Sequence, residues 1–207
     1  MPGTLMTRRA YLRYSRDVRL IGLSVATAAL AAGCARDPVE QRCPAVGEDD
    51  LVVTEFRGQQ SPDDGSPTWV ELYNATTSSV DLEGTKVRFR KKDGSSEVDI
   101  IVRRSVTVAA GGYATLGLVP DDPSERPSFI DYGFVNDFHV GFLPAAAVDV
   151  EACGTRIDRA TYDVLPKTGS YSLGINPPNA DDNDVPTSWC TNATPAGTPK
   201  QANPACP

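Results

Sequence analysis

Residues 85–103 read Thr-Lys-Val-Arg-Phe-Arg-Lys-Lys-Asp-Gly-Ser-Ser-Glu-Val-Asp-Ile-Ile-Val-Arg. Apolar and charged residues alternate on both sides of Asp93-Gly94, a pattern typical of a β-hairpin with a two-residue turn. The turn fixes the register, which sets these pairs opposite each other: Phe89 with Val98, Val87 with Ile100, Arg90 with Glu97 and Arg88 with Asp99. One face is then apolar and the other carries opposite charges. A slip by one residue would set apolar against charged side chains.

Short runs of β-branched and aromatic residues recur on either side of this hairpin, separated by turn residues. Predicted strands cover residues 51–56, 68–73, 106–108, 113–118, 148–152, 157–162 and 170–175, with a second hairpin around Gly154-Thr155. Strands at this spacing without helices predict an all-β antiparallel sandwich. Residues 176–207 are rich in Pro, Asn and Asp and are predicted to be coil. Apart from Trp189 this tail has little to bury, so we expect a disulfide and surface packing to hold it.

The N-terminal segment has the character of an export signal. Residues 1–19 contain five arginines (Arg8, Arg9, Arg13, Arg16, Arg19) against Asp17, and residues 20–32 carry no charge. This apolar run is shorter than the about 20 residues of a spanning helix, so residues 1–33 are predicted to be a cleaved signal peptide. Residues 7–13 resemble a twin-arginine signal, with a merely basic leader as the alternative.

Leu30-Ala31-Ala32-Gly33-Cys34 resembles a bacterial lipobox, which implies acylation of Cys34. Ala35, rather than Asp, follows the cysteine, which suggests the outer membrane. Residues 34–50 would form a tether, residues 51–203 the sandwich domain, and residues 204–207 a short tail. The only membrane contact expected is through the lipid on Cys34.

The charge of the chain argues against nucleic acid as a partner. Removing residues 1–33 takes away five of the 20 basic and one of the 27 acidic residues, which leaves 15 against 26 and a net charge of −11. Such a surface repels phosphate backbones.

Four cysteines remain after Cys34 is acylated: Cys43, Cys153, Cys190 and Cys206. An even number in an oxidising compartment predicts two disulfides, with three pairings open. We favour Cys190 with Cys206, which closes a short Pro-rich loop, and Cys43 with Cys153. Zinc is not expected, because there is no Cys-x-x-Cys spacing and His139 is the only histidine.

Several segments together resemble a known family. They are Val53-Thr54-Glu55-Phe56, Trp69-Val70-Glu71-Leu72-Tyr73-Asn74, Val80-Asp81-Leu82-Glu83-Gly84, Ala110-Gly111-Gly112-Tyr113, Trp189, Gly197-Thr198-Pro199 and Ala202-Asn203. In order and spacing they resemble the bacterial lamin tail domain. Thr85 and Lys200 depart from it, because the family usually has Trp and Gly there. The resemblance implies an immunoglobulin-like sandwich that serves exported proteins as a binding or structural module, with no catalytic position. Its motif residues here are Glu55, Trp69, Glu71, Leu72, Tyr73, Asn74, Gly84, Gly112 and Trp189.

Three other groups of residues carry side chains that could form a site. His139 could act as the base for a nucleophilic serine, but the sequence has no Gly-x-Ser-x-Gly motif around a serine. It is therefore expected to be a loop or strand-edge residue. Asp181, Asp182 and Asp184 offer oxygen ligands for calcium but lack the glycine and glutamate of an EF-hand, so a solvated loop is the stronger interpretation. The basic residues Lys86, Arg88, Arg90, Lys91, Lys92, Arg103 and Arg104 could bind an anionic polymer, but the hairpin register predicts that Glu97 and Asp99 neutralise their centre.

The sequence therefore predicts a non-catalytic, lipid-anchored protein of the cell envelope, without a cofactor, that contacts a protein or an envelope polymer. Two alternatives stay open: a secreted hydrolase of unrecognised type, and a calcium- or glycan-binding surface module. Perturbed carboxylates converging in a pocket would favour the hydrolase.

Overall fold

The structure is a computed structural model that describes residues 42–137 and 141–207. The predicted signal peptide, Cys34 and His139 lie outside these ranges, and so do residues 34–41 of the tether. Within the described ranges, no helix has the length and the apolar composition needed to cross a bilayer.

The described chain is built almost entirely of strands. In chain order they are β1 (Leu51–Arg57), β2 (Trp69–Asn74), β3 (Val80–Asp81), β4 (Thr85–Arg90), β5 (Val98–Ile101), β6 (Thr107–Val108), β7 (Tyr113–Gly117), β8 (Tyr132–Gly133), β9 (Ala146–Ala152), β10 (Thr155–Tyr162), β11 (Ser170–Leu173) and β12 (Trp189–Asn192). A short helix α1 (Ala180–Asn183) and a 3₁₀ turn (Pro186–Ser188) precede β12.

The strands form a six-stranded sheet in the order β12-β11-β1-β2-β7-β8, a four-stranded sheet in the order β10-β9-β4-β5, and a small β3-β6 pair. All pairings are antiparallel except β7 with β8. Phe56 of the first sheet packs against Phe89 and Tyr162 of the second, with ring centroids 6.4 and 5.1 Å apart. The predicted all-β sandwich is therefore confirmed, because alternating apolar side chains of both sheets share one core.

The predicted register of the β4–β5 hairpin is confirmed, although its turn differs. Val87 lies opposite Ile100, and Arg88 lies opposite Asp99. The turn is longer than the two residues predicted: the Gly94 amide donates to the Lys91 carbonyl at 2.8 Å, and the Lys91 amide to the Ser95 carbonyl at 3.0 Å. A residue with positive φ, Ser96 (φ 51°), then restores the register.

The predicted coil after residue 176 is wrong in part. Helix α1 and strand β12 lie in this segment, and β12 pairs with β11 so that Trp189 lies opposite Leu173. Strands β3 and β8, of two residues each, were also not predicted. Elements this short give no detectable periodicity, so only their tertiary pairing defines them.

Both predicted disulfides are present. Cys43 is bonded to Cys153 and Cys190 to Cys206. The first holds the segment before β1 against the second sheet. There Gly84 (φ +92°) has no room for a side chain, because a Cβ would lie 1.9 Å from the Arg42 carbonyl oxygen. This close approach accounts for a glycine at this motif position.

Candidate functional site

Two glutamates lie side by side on the face of the six-stranded sheet that points away from the shared core. Glu55 of β1 lies directly opposite Glu71 of β2, beyond an irregularity in the β1 register between Val53 and Glu55. Neither residue has any exposed surface. Alternation along the strands would place these polar side chains on the outer face of the sheet, so something else must cover them. The cover comes from residues 195–203, which we call the C-terminal strap.

Glu55 accepts hydrogen bonds from both the sheet and the strap. Ser170 and Ser172 of β11 donate their hydroxyls to Oε1, the latter at 2.9 Å. From the strap, the Thr198 amide donates to Oε1 at 3.1 Å and the Thr198 hydroxyl to Oε2 at 3.1 Å. A carboxylate that accepts this many donors is suited to remain ionised.

Glu71 has fewer donors. Thr54 donates its hydroxyl to Oε1 at 2.9 Å, and the strap contributes the Lys200 amide, which donates to Oε2 at 2.6 Å. Thr115 adds a longer contact of 3.4 Å to Oε2. A proton on Oε1 could be donated to the Thr54 hydroxyl while Oε2 still accepts from Lys200, so this environment suits a neutral carboxyl group.

The two carboxyl groups differ in their tendency to hold a proton. Burial raises the pKa of Glu55, although its hydrogen bonds oppose the rise. Burial and the neighbouring Glu55 charge raise the pKa of Glu71 well above its usual range. The nearby cations bind elsewhere, since Lys200 Nζ pairs with Asp131 at 2.7 Å and Arg57 pairs with Asp64. The donor sets and the directions of the two pKa shifts together favour the negative charge on Glu55 and the proton on Glu71.

Three further contacts fix the C-terminal strap. The buried Arg57 guanidinium donates to the Pro195 carbonyl at 3.2 and 3.3 Å. Gly197 (φ +72°) lies against Trp69, where a Cβ would come within 2.8 Å of the indole ring. Asn203 donates to the Thr54 carbonyl at 3.0 Å. Buried hydrogen bonds thus secure the tail, whereas the sequence predicted only a disulfide and surface packing.

The other motif residues also serve the architecture. Asn74 donates its side-chain amide to the carbonyls of Ser78, Val108 and Ala109 at 2.8–3.0 Å, which ties two loops together. Trp189 stacks on Phe56 and Tyr171 in the core and donates to the Asn183 carbonyl at 2.7 Å. Of the other motif residues, Leu72 packs in the core and the Tyr73 ring packs against that of Tyr113. The backbone of Gly112 is hydrogen-bonded to the backbones of Asn74 and Ala109.

Another buried carboxyl group, that of Asp158 in β10, links the two sheets. Its Oδ2 accepts from the Val53 amide of β1 at 2.8 Å and from Asn183 Nδ2 at 2.7 Å. Burial raises its pKa to about 6, although these hydrogen bonds and the Arg159 amide lower it. Sequence reasoning missed this residue, because its partner lies 105 positions away.

Asp158 lines a cavity of about 260 Å³ that also holds two of the proposed calcium ligands, Asp181 and Asp184. The third, Asp182, instead accepts from Asn179 Nδ2 at 2.6 Å, and its own amide is capped by the Asn179 side chain. In the described ranges, no group of three or more His, Cys, Asp or Glu side chains is placed to hold a metal ion. The structure therefore divides the three aspartates between a helix cap and a cavity wall.

The basic residues do not form one patch. Arg88 pairs with Asp99 at 3.0 Å and with Glu151 of β9 at 3.0 Å. Arg90 does not pair with Glu97, as the hairpin register suggested, but with Asp149 of β9 at 2.7 Å. The third strand supplies this partner, which a two-strand register cannot reveal. Of the others, Lys86 lies 3.4 Å from Asp99 and Lys92 lies 2.5 Å from Asp163, whereas Arg103 and Arg104 line a separate cavity.

Comparison of the chain with models of protein families and with curated proteins finds no match. The class that the geometry defines is therefore an all-β sandwich with two disulfides, closed on one face by its own C-terminal strap.

Proposed function

We propose that this chain is a lipid-anchored protein of the cell envelope, whose sandwich is of the immunoglobulin-like, lamin tail type and serves as a binding or structural module without catalytic activity. The observation that carries the proposal is the position of Glu55, Glu71 and Trp69. Trp69 and Glu71 belong to the most specific motif segment and Glu55 to the segment before it, and all three are buried under the strap. These motif residues hold the C-terminal strap on the sandwich, and this structural role accounts for them without a reactive centre.

The two disulfides support export, because such bonds persist in oxidising compartments and are rare in the cytosol. Export by a lipoprotein signal agrees with the basic leader, the short apolar run and the cysteine at position 34. The acidic chain gives no electrostatic attraction to anionic headgroups, so an acyl group on Cys34 would have to supply membrane attachment.

Substitutions at two adjacent positions, Cys34 and Ala35, test the lipid anchor. Wild-type protein, Cys34→Ala and Ala35→Asp are produced in a bacterium with two membranes, and the membranes are separated by density. We expect wild type in the outer membrane with an acylated Cys34 at its N-terminus by mass spectrometry. Cys34→Ala should leave the membrane fraction, whereas Ala35→Asp should keep the lipid and move to the inner membrane. Wild-type protein with an intact leader in the soluble fraction would contradict the proposal.

One observation favours the alternative, a hydrolase: Asp158, with its pKa raised to about 6, lines a cavity of about 260 Å³. Its carboxyl oxygens already accept from the amides of Val53 and Arg159 and from Asn183. This engagement fits a link between the sheets better than a general acid. Turnover of ester or glycoside substrates by the wild type that Asp158→Asn abolishes would favour the hydrolase.

A further inference from the structure

A cavity of about 440 Å³ lies beyond the end of β5, next to β8. Its polar lining comprises Arg103, Arg104, Asp121, Asn136 and Asp137, and the rings of Tyr132 and Phe134 also border it. The volume is within the range of about 300–1,000 Å³ that is usual for small-molecule sites. Within the described ranges, the strap approaches this cavity through Asp131, whose carboxylate pairs with Lys200 and whose carbonyl accepts from Arg104.

Arg104 is fixed in one orientation. Its Nε and Nη2 donate to the two carboxylate oxygens of Asp121 at 2.7 Å each, and Nη2 also donates to the Asp131 carbonyl at 2.7 Å. The guanidinium carbon lies 5.5 Å from the centroid of the Tyr132 ring. These contacts hold the Arg104 guanidinium at the cavity wall, so its side chain would not have to be ordered when a ligand binds.

Arg103 is held by one edge only. Its Nη1 pairs with Asp137 at 2.5 Å and donates to the Ile101 carbonyl at 3.0 Å. The hydrogen bonds that this guanidinium donates to Ile101 and Tyr132 both come from Nη1, and its ion pair with Asp137 is also made at Nη1. The side chain is 54 % exposed, and Asn136, with its amide, is also exposed at the cavity. The outer edge of a guanidinium matches the two oxygens of a carboxylate or phosphate.

The charges that line the cavity are balanced, in a chain whose net charge is −7. Two guanidinium groups, Arg103 and Arg104, face two carboxylates, Asp121 and Asp137. Behind the wall, Arg126 Nη1 also lies 2.6 Å from Asp121 Oδ1, so this carboxylate is shared between two arginines. On the outer face of the four-stranded sheet, by contrast, Arg90 and Arg159 share Asp149 beside further acidic residues.

We propose that this cavity binds a small molecule that carries one oxyanion group, a carboxylate or a phosphate monoester, on a sugar-sized body. The oxyanion contacts the outer edge of Arg103 and the Asn136 amide, and the body lies toward Tyr132. This assigns a ligand class to the binding module proposed above, but it does not depend on the lipid anchor, so either proposal can fail alone.

Isothermal titration calorimetry of the purified full-length protein at low salt tests this assignment with galacturonate, glucose 6-phosphate and neutral glucose. We expect at least one of the two anionic sugars to bind and glucose not to bind, and the better anionic ligand identifies the oxyanion. Arg103→Gln should weaken that binding at least tenfold, since it removes a charge-assisted contact. The matched control Arg90→Gln removes the same charge from the paired sheet face and should change binding less than twofold.

A second variant keeps the test decisive if Arg103→Gln is unstable. Asn136→Asp adds a negative charge beside the cavity at an exposed side chain, so it should fold normally and also weaken binding at least tenfold. The proposal is overturned if neither anionic sugar binds, if glucose binds as tightly, or if Arg90→Gln weakens binding as much as the cavity variants do.

Discussion

The assignment of one charge and one proton to the buried glutamate pair predicts that two chemically identical substitutions have unequal effects. Glu71→Gln preserves the shape of a neutral carboxyl group: its NH₂ can donate to Thr54, and its oxygen can accept from Lys200. We expect a change in the free energy of unfolding of less than about 1 kcal/mol at pH 7. Glu55→Gln instead removes a negative charge that accepts hydrogen bonds from the hydroxyls of Ser170, Ser172 and Thr198 and from the Thr198 amide.

The expected cost of Glu55→Gln follows from these contacts. The NH₂ group of Gln takes the place of either Oε1, which accepts from Ser170, Ser172 and the Thr198 amide, or Oε2, which accepts from the Thr198 hydroxyl. In either orientation at least one charge-assisted hydrogen bond is lost. Such bonds contribute about 1.5–3 kcal/mol each. For a domain of this size, a loss of about 3 kcal/mol lowers the melting temperature by about 6–12 °C. Urea and thermal unfolding of both variants at pH 7 measure the difference.

The pH dependence provides a second readout of the same pair. A raised folded-state pKa contributes stability that is fully present below the unfolded pKa, near 4.5, and is lost as the pH rises through the folded pKa. Wild type should therefore lose stability relative to Glu71→Gln as the pH is raised from 5 to 8. Equal destabilisation by both substitutions at pH 7, or a Glu71→Gln variant that is the less stable of the two, would refute the assignment.

Three further predictions concern other parts of the molecule. Asp158→Asn should flatten the pH dependence of stability: with the pKa raised from 3.8 to about 6, the wild type gains about 2 kcal/mol from this group as the pH falls from 7 to 4. Urea unfolding that shows the same pH dependence in the variant as in the wild type would contradict this. Gly197→Ala should cost about 1–3 kcal/mol, because the alanine Cβ meets Trp69 at a positive φ; a melting temperature equal to wild type would count against the strap packing. Replacing Cys190 and Cys206 together by Ser should cost about 3 kcal/mol, and calorimetry that finds no loss would show that the strap contacts alone hold the tail.

The features that the sequence predicts well are local. The register of the β4–β5 hairpin follows from alternation over adjacent residues. The second hairpin is present too, but its turn lies at Cys153-Gly154, one residue before the predicted Gly154-Thr155, and both turn residues have positive φ. The disulfides followed from cysteine parity and a preference for closing the short loop. Each of these inferences uses information within one element or a simple count.

The candidate sites escaped prediction because their partners are distant in sequence. Glu55 meets Thr198 across 143 positions, and no local pattern marks a polar tail segment as a cover for carboxylates. The partner of Arg90 lies on a third strand, β9. Arg103 lies away from the arginines of the sheet because β5 ends at Ile101, two residues earlier. Proximity along the chain suggested one basic cluster, whereas the tertiary fold creates a neutral face and a separate cavity.

Amide hydrogen exchange at Thr198 and Lys200 tests most directly whether the motif glutamates serve to hold the strap. The account predicts that both amides are protected to about the same degree as amides of the central strand β1, and that Glu55→Ala accelerates their exchange while β1 stays protected. Exchange of both amides in the wild type as fast as in an unstructured peptide of the same sequence would mean that the strap is open, and would contradict the account.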